Sequence, residues 1–352
     1  MSLVQLTVED LRCLQRAELA LDPQRNLIWG SNGSGKTSLL EAIFLLGRGR
    51  SFRTRNSERL IRHGQPRLTV FGRTDAMPPQ AIGVQVAKGG GTIARINAAA
   101  AGSLTELSQS FPVQVIDPGV HKLVEEGGFR RRRWMDWAVF HVEHGFADVW
   151  VRYTRAVKQR NAALRHQPAQ AAAWDPEVAR LGELIAEARR RMLDQMQAAW
   201  QESVLGLSGL EVNLHYSRGW SQDIALSQAL VEARARDHAR GLTHSGPHRA
   251  DVLVRLNGRP AREVLSRGQQ KLVAIAMTLA QIRLLQERTA TTPTLLLDDP
   301  AAELDSPHLV RFIDEVSRLK CQLIITSLHA ESDLFGMPEK VFHVEQGGVA
   351  PV

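Results

Sequence analysis

The central stretch of this sequence is Asn26-Leu27-Ile28-Trp29-Gly30-Ser31-Asn32-Gly33-Ser34-Gly35-Lys36-Thr37. Its apolar beginning predicts a short buried strand, and apolar residues at helical spacing over 39–46 predict a following helix that ends near Gly47. Between them, residues 30–37 match G-x-x-x-x-G-K-[ST], a phosphate-binding loop. Such a loop aims backbone N–H groups at phosphate oxygens, and the helix N-terminus adds partial positive charge. The candidate nucleotide-binding residues are therefore Gly30, Ser31, Asn32, Gly33, Ser34, Gly35, Lys36 and Thr37.

A second stretch supplies acidic groups for the same chemistry. Residues 294–297 predict a buried strand, and it ends in Asp298-Asp299. An acid at the end of such a strand, beside a phosphate loop, can hold Mg²⁺ through water, and a second acid can orient or deprotonate the attacking water. Lys36 can reach the β- and γ-phosphates of ATP, and the Thr37 hydroxyl can bind Mg²⁺. The predicted catalytic residues are Asp299, Asp298 and Lys36, and the predicted metal ligands are Thr37 and Asp298.

Composition restricts the class of protein. The chain has 352 residues, and its 43% hydrophobic and 23% charged residues are typical of one large or two ordinary globular domains. No apolar run approaches the ~20 residues that a membrane helix needs, and the first residues do not resemble a signal peptide. Two cysteines far apart in sequence fit a reducing cytosol, so we expect a cytoplasmic protein without a membrane partner. The net charge of +7 favours an anionic partner.

The order of predicted elements divides the chain into three segments. Residues 1–126 are predicted to form the N-terminal part of an ATPase lobe, with the phosphate loop, a basic segment over 48–62 and a strand meander over 68–96. Residues 127–210 read as a helical subdomain, with one helix over 130–166, broken near Gly145, and a second from Pro176 to about Leu205. Residues 211–352 complete the lobe. The helices keep no strict heptad repeat, which excludes a long coiled coil.

A serine-led segment, residues 265–271 (Leu-Ser-Arg-Gly-Gln-Gln-Lys), precedes another helix. Ser266 and Gln269 have the spacing of a capping box, so alone the segment indicates only a well-capped helix. Together with the phosphate loop, the double-acid strand and the terminal strand over 322–326, it follows the order of motifs in ABC-type ATPases. The match extends to 51–53, 113–118, 246–251 and 297–305, and over nearly the whole chain the sequence resembles the RecF family.

This resemblance implies an α/β fold, with an ABC-type P-loop ATPase head similar to one lobe of Rad50 and a second, mostly helical lobe. It implies ATP and Mg²⁺ as cofactors, binding to double-stranded and single-stranded DNA, and an ATP-dependent homodimer. The implied ATPase is slow, DNA-stimulated and acts as a switch, and with RecR and RecO it promotes RecA loading at gaps and strand junctions. Ser266 and Gly268, with Gln269 in the same motif, would then contact the γ-phosphate of ATP on the partner subunit.

The sequence leaves the roles of several residues undecided. ABC-type ATPases have a switch residue after the last core strand, and here that position is either Ser327 or His329. They also have a glutamine at the junction of the two lobes. Gln114 lies near that position but is interpreted chiefly as a strand residue. A cluster of arginines is either a DNA-phosphate patch or the solvated face of a helix, and two further arginines contact either DNA or ATP. These DNA candidates are Arg130, Arg131, Arg132 and Arg133, and then Arg53 and Arg55.

Two other functions compete with a DNA-repair ATPase. A transporter nucleotide-binding subunit shares the phosphate loop and the serine-led segment over 265–271, which we call the signature. The interval from Thr37 to Ser266 is longer than we expect for such a subunit. A nucleotide-gated scaffold without significant hydrolysis would keep the same motifs. Stimulation of hydrolysis by DNA rather than by a membrane partner excludes the first, and single-turnover hydrolysis excludes the second.

Overall fold

The computed structural model describes residues 1–102, 104–143, 145–289, 291–330 and 334–352. They form two compact units, one of Met1–Val120 with Thr289–Val352 and the other of His121–Arg288. Of the segment 211–352, which the sequence predicts as one part, residues 211–288 lie in the second unit and the rest in the first.

Fifteen strands and twelve helices are present in the described residues. The strands are β1 (Leu3–Leu11), β2 (Leu14–Ala20), β3 (Arg25–Trp29), β4 (Arg67–Thr74), β5 (Ala81–Ala87), β6 (Gly91–Ile96), β7 (Ala99–Ala100), β8 (Val113–Ile116), β9 (Val212–Ser217), β10 (Asp251–Leu256), β11 (Arg259–Pro260), β12 (Thr294–Leu297), β13 (Gln322–Ser327), β14 (Lys340–Glu345) and β15 (Gly348–Pro351). The helices are α1 (Lys36–Arg48), α2 (Leu104–Ser110), α3 (Lys122–Glu125), α4 (Gly128–Val142), α5 (Phe146–His166), α6 (Asp175–Ser208), α7 (Leu226–Glu232), α8 (Arg234–Arg240), α9 (Ala261–Val264), α10 (Arg267–Arg288), α11 (Pro300–Glu303) and α12 (Ser306–Ser317).

The first unit contains two six-stranded sheets around one core. The antiparallel sheet has the order β2-β1-β4-β5-β6-β7, and the second sheet has the order β15-β14-β3-β13-β12-β8. In the second sheet β14, β3, β13, β12 and β8 are parallel, so their carboxyl ends lie along one edge. Helix α1 contacts strands of both sheets, and eleven of its 13 residues are buried. The phosphate loop therefore leads into a helix that is buried on nearly all sides.

The second unit is mainly helical. Its 34-residue helix α6 contacts α4, α5, α7 and α10, and strands β11, β10 and β9 form a small antiparallel sheet. Buried arginines hold the helices together: Arg160 donates to Asp237 at 2.7 Å, and Arg189 donates to Asp136 at 2.8 Å. This unit corresponds to the mostly helical second lobe of the predicted α/β fold.

One predicted helix break is confirmed, and one predicted helix end is wrong. The break predicted near Gly145 separates α4 from α5, and Gly145, the residue before α5, has φ 77°, a conformation that favours glycine. Helix α1 does not end at Gly47: the left-handed cap is Gly49, with φ 60°. Gly47 serves packing instead, because a Cβ there would lie 2.3 Å from the Phe111 carbonyl oxygen.

Candidate nucleotide site

The phosphate loop connects β3 to α1 at the carboxyl edge of the parallel strands. Gly30 has φ 155°, and a Cβ at this position would lie 2.2 Å from the Val344 carbonyl oxygen in β14. Gly33 and Gly35 have φ 80° and 125°, which L side chains rarely adopt. The loop therefore requires glycine for reasons of space at Gly30 and of backbone conformation at Gly33 and Gly35.

Lys36 and Thr37 begin α1 and point their polar groups into the loop and toward β12. The Lys36 ammonium donates to the carbonyl oxygens of Gly30 at 2.7 Å and Ser31 at 2.9 Å. Burial lowers the pKa of Lys36, and the charges of Asp299 and Asp298 oppose this shift. A buried cation at the N-terminus of a helix is suited to the phosphate groups of a nucleotide.

Asp298, at the end of β12, meets Thr37 directly. The Thr37 hydroxyl lies 3.0 Å from one carboxylate oxygen of Asp298 and 3.1 Å from the other. Only 8% of Asp298 is exposed, and this burial raises its pKa, although hydrogen bonds from Thr326 and Thr37 oppose the rise. The structure thus brings the two predicted metal ligands together.

Thr326, in the neighbouring strand β13, connects both acids and is not among the site residues predicted from the sequence. Its hydroxyl donates to the Asp298 carboxylate at 2.9 Å and accepts from the Asp299 N–H at 2.9 Å. Asp299 itself has φ 49° and ψ 56°, a left-handed conformation that is uncommon for a residue other than glycine. The sequence feature that could have indicated this role is the position of Thr326 near the end of a core strand that pairs with the strand leading to the two acids.

The environment of Asp299 suits an acid-base group. Burial raises the pKa of the Asp299 carboxyl, the Lys36 charge lowers it, and Glu303 adds to the rise. A carboxyl whose pKa is moved toward neutrality is a better general base than an ordinary aspartate.

The oxygen donors present fit Mg²⁺. The described residues contain no group of three or more His, Cys, Asp or Glu side chains placed to hold a metal ion. Mg²⁺ in nucleotide sites needs no such cage, because phosphates and water complete its coordination around one or two protein oxygens. The paired Thr37 hydroxyl and Asp298 carboxylate are the groups that would hold it.

The basic segment after α1 is organised by a buried carboxylate. Glu41 of α1 is fully buried, accepts from Arg12 Nη2 at 3.0 Å and lies 3.8 Å from Arg53 Nη1. Ser51 also donates to Glu41 at 2.5 Å and accepts from the Arg53 N–H at 2.9 Å. The structure therefore holds the half-exposed Arg53 on the side of Glu41, within electrostatic range of Asp298, whose pKa its charge lowers. Arg55 is exposed.

The signature segment forms the predicted capping box at the start of α10. The Ser266 N–H donates to the Gln269 side-chain oxygen at 3.0 Å, and the Gln269 N–H donates to the Ser266 hydroxyl at 3.3 Å. Ser266 and Gly268 are both exposed. The nearest atom to a Cβ built on Gly268 is the Ser266 hydroxyl at 3.9 Å, so this helix end is open.

The four consecutive arginines of α4 have contacts within their own unit. Arg130 pairs with Glu126 at 2.5 Å, and Arg133 lies over the Phe129 ring at 5.4 Å. Arg132 donates to the Ala250 carbonyl at 2.6 Å, and Arg131, only 6% exposed, pairs with Asp251. Arg131 is therefore buried, the other three arginines are partly buried, and the choice between a DNA-phosphate patch and a solvated helix face stays a prediction.

Ser327 and His329 lie near the same sheet edge, whereas Gln114 lies within a strand. The Ser327 carbonyl accepts from the Gly30 N–H at 3.2 Å, and the Ser327 hydroxyl accepts from the His329 N–H at 3.1 Å. His329 is exposed and its charge lowers the pKa of Asp299. Gln114 is buried in β8, opposite Leu295. The choice of switch residue between Ser327 and His329 stays a prediction.

Comparison with known proteins gives one consistent family. Residues 2–347 match the family model described as the RecF/RecN/SMC N terminal domain. The chain is 40% identical to the DNA replication and repair protein RecF of Chromohalobacter salexigens over 358 residues, covering 99% of each chain. It is also 40% identical over 365 residues to the protein of the same name from Cellvibrio japonicus, again covering 99% of each.

Solved structures agree on the fold. A structure described as the recombination mediator protein RecF with ATP, in the RecFOR pathway, matches with a TM-score of 0.90 at 24% identity, covering 100% of this chain and 97% of the other. An Smc head bound to the C-terminal winged-helix domain of ScpA matches with a TM-score of 0.61 at 16% identity, covering 100% and 97%. Among the described residues, no helix has the length and apolarity required to cross a bilayer.

Proposed function

The chain belongs to the RecF family of DNA replication and repair proteins, and on that premise we propose that it is an ATP-dependent DNA-binding protein of recombinational repair. The observation that carries the proposal is the arrangement at the end of β12. There Thr326 links Asp298 and Asp299, and Asp298 faces Thr37 at the phosphate loop. A DNA-binding protein without nucleotide chemistry would have no need for two acids with raised pKa values beside a phosphate loop.

In the proposed mechanism the loop and Lys36 bind the ATP phosphates. Thr37 and Asp298 would hold Mg²⁺, which would supply charge neutralisation at the phosphates. Asp299 accepts a proton from the attacking water, as its raised pKa permits. Lys36 now donates to loop carbonyls, and it exchanges these contacts for phosphate oxygens when nucleotide binds.

The exposed N-terminus of α10 offers a second set of groups that can bind ATP. Ser266 and Gly268 offer a hydroxyl, backbone N–H groups and the positive end of a 22-residue helix. We place them against ATP bound by a second copy of the chain, so that ATP closes a homodimer on DNA and hydrolysis releases it. RecR and RecO are the proposed partners, and promotion of RecA loading is the proposed output, from the RecF family.

Hydrolysis measured with and without DNA tests this function. We expect slow turnover that double-stranded DNA accelerates, and Asp299→Asn should keep ATP binding but lower turnover by about 10²-fold or more, because an amide cannot accept the proton. Lys36→Met is the control that loses tight ATP binding. Normal single-turnover hydrolysis by Asp299→Asn would place the base elsewhere. No hydrolysis by the wild-type protein would favour the nucleotide-gated scaffold.

A further inference from the structure

Arg131 lies at the junction of three segments in the second unit. It belongs to the first turn of α4, and its guanidinium binds Asp251 in two places: Nε to Oδ1 and Nη2 to Oδ2, both at 2.8 Å. Its side chain is 8% exposed and that of Asp251 is 22% exposed. A bidentate pair with so little solvent fixes direction as well as distance.

The remaining nitrogen of Arg131 closes the end of α3. Nη1 donates to the carbonyl oxygens of Glu126 at 2.6 Å, Leu123 at 3.1 Å and Val124 at 3.3 Å. Carbonyls at a helix C-terminus have no partner within the helix, so a cation at this point satisfies them and stabilises the helix end. Arg131 therefore connects α3 to the first residue of β10.

Both of these segments lead to the signature. Helix α3 contacts α9 and the beginning of α10, and Glu125 lies 3.9 Å from Arg267, the first residue of α10. Strand β10 pairs with β11, which continues directly into α9 and Ser266. Gln270 closes the same turn, because its amide donates to the Leu265 carbonyl at 3.0 Å. A displacement of the Arg131–Asp251 pair would thus move the N-terminus of α10 from two sides.

Gly128 shows how closely this pair is enclosed. A Cβ on Gly128 would lie 2.8 Å from the Asp251 carboxyl carbon and 2.8 Å from Arg132 Nη1. The glycine has no unusual φ, so its absence of a side chain is needed for space rather than for backbone conformation. It offers a way to push the Asp251 carboxylate without changing any charge.

We propose that Arg131 and Asp251 are positioning residues that hold the N-terminus of α10 in the orientation required to bind ATP on a second copy of the chain. This inference rests on the proposed role of Ser266 and Gly268. Arg131 would then act in nucleotide-dependent dimerisation rather than in DNA contact.

The test compares ATP binding with ATP-dependent dimerisation in three variants: Arg131→Lys, Asp251→Asn and Gly128→Ala. Each should bind ATP within about twofold of the wild type, because the phosphate loop belongs to the other unit, yet dimerise with ATP about tenfold more weakly or worse, which corresponds to at least about 1.4 kcal/mol. The double variant Arg131→Lys/Asp251→Asn should be no worse than the poorer single variant, since both disrupt one contact. Arg190→Lys, at an exposed ion pair on α6, is the matched control that should dimerise normally.

The outcomes separate this inference from the function on which it rests. Wild-type dimerisation by folded Arg131→Lys and Asp251→Asn overturns the inference alone, and so does unfolding of all three variants, which would make the pair a general stability element. If the wild type itself forms no dimer with ATP, the proposed function fails. Amide hydrogen exchange then decides the positioning alone: faster exchange over 261–270 in Asp251→Asn supports it, and unchanged exchange overturns it.

Discussion

Thr326 controls both acids of the candidate site through one hydroxyl. Thr326→Val keeps the shape of the side chain but leaves the Asp299 N–H and one Asp298 oxygen without this partner. We expect the free energy of unfolding to fall by about 1–3 kcal/mol, and ATP turnover to fall because Asp299 is no longer held in its left-handed conformation. Urea unfolding and steady-state hydrolysis measure the two effects.

Thr294→Val is the matched control for that variant. Thr294 is also fully buried, lies in the adjacent strand β12 and donates to Gln322 at 2.9 Å, but it sits at the opposite end of the strand from Asp298. It should lower stability by a similar amount and leave turnover per folded molecule unchanged. Equal losses of turnover in the two variants would contradict a specific role for Thr326.

Asp298 should show the stability cost of a functional acid. Burial raises its pKa in the folded protein, so its contribution to stability is present at low pH and is lost as pH rises through the raised pKa. Asp298→Asn does not ionise, and without nucleotide it should be more stable than the wild type at neutral pH. This advantage should shrink as pH falls from about 7 toward about 4 in thermal unfolding.

Asp305 should show the opposite dependence of stability on pH. It caps α12 by accepting from the His308 N–H at 3.0 Å, and this bond lowers its pKa. Its stabilising effect is therefore present at neutral pH and is lost as pH falls through the lowered pKa. Asp305→Asn should be no more stable than the wild type at neutral pH, and a stabilisation like that of Asp298→Asn would show that the pH effect is not specific to the buried acid.

At the scale of elements, short apolar strands were easy to predict and helix ends were not. The strand over 294–297 has the predicted bounds, because a parallel strand covered on both faces is a continuous apolar run. The end of α1 was misplaced because two glycines, Gly47 and Gly49, lie in one turn, and local sequence does not distinguish a packing glycine from a capping one. The capping box at Ser266 was predictable because its two partners are three residues apart.

The basic segment after α1 makes a prediction about DNA. Arg53 is held near Glu41, whereas Arg55 is exposed on the same segment. Arg55→Ala should weaken DNA binding without sequence preference and lower the slope of log affinity against log salt by about 0.9 for a lost phosphate contact. Arg190→Ala on α6 is the control, and ATP affinity must be measured in parallel. An unchanged slope with normal ATP affinity would remove Arg55 from the DNA surface.

At the scale of the whole molecule, the motif order was sufficient for fold class but not for long-range pairing. The sequence predicts the phosphate loop, the acids and the signature as separate segments, and the parallel sheet brings Thr37, Asp298 and Thr326 together from positions far apart in the chain. Arg131 and Arg132 also bind residues 250–251, about 120 residues away, and no local periodicity indicates these contacts. The four consecutive arginines are therefore not distinguished by the local sequence, although their contacts in the structure differ.

The strongest prediction for the whole molecule concerns assembly. The phosphate loop offers donors to one side of ATP, and the open, capped end of α10 offers a second set that we assign to another copy. We predict a monomer without nucleotide and a dimer with ATP. Ser266→Arg replaces a small donor with a bulky cation, so it should bind ATP normally as a monomer and fail to dimerise. Mixed with Lys36→Met, it should restore at most one competent site per heterodimer, because one intact signature then faces one intact phosphate loop. Sedimentation with ATP decides between the possibilities: a wild-type dimer fraction for Ser266→Arg would mean that the signature does not act across the interface.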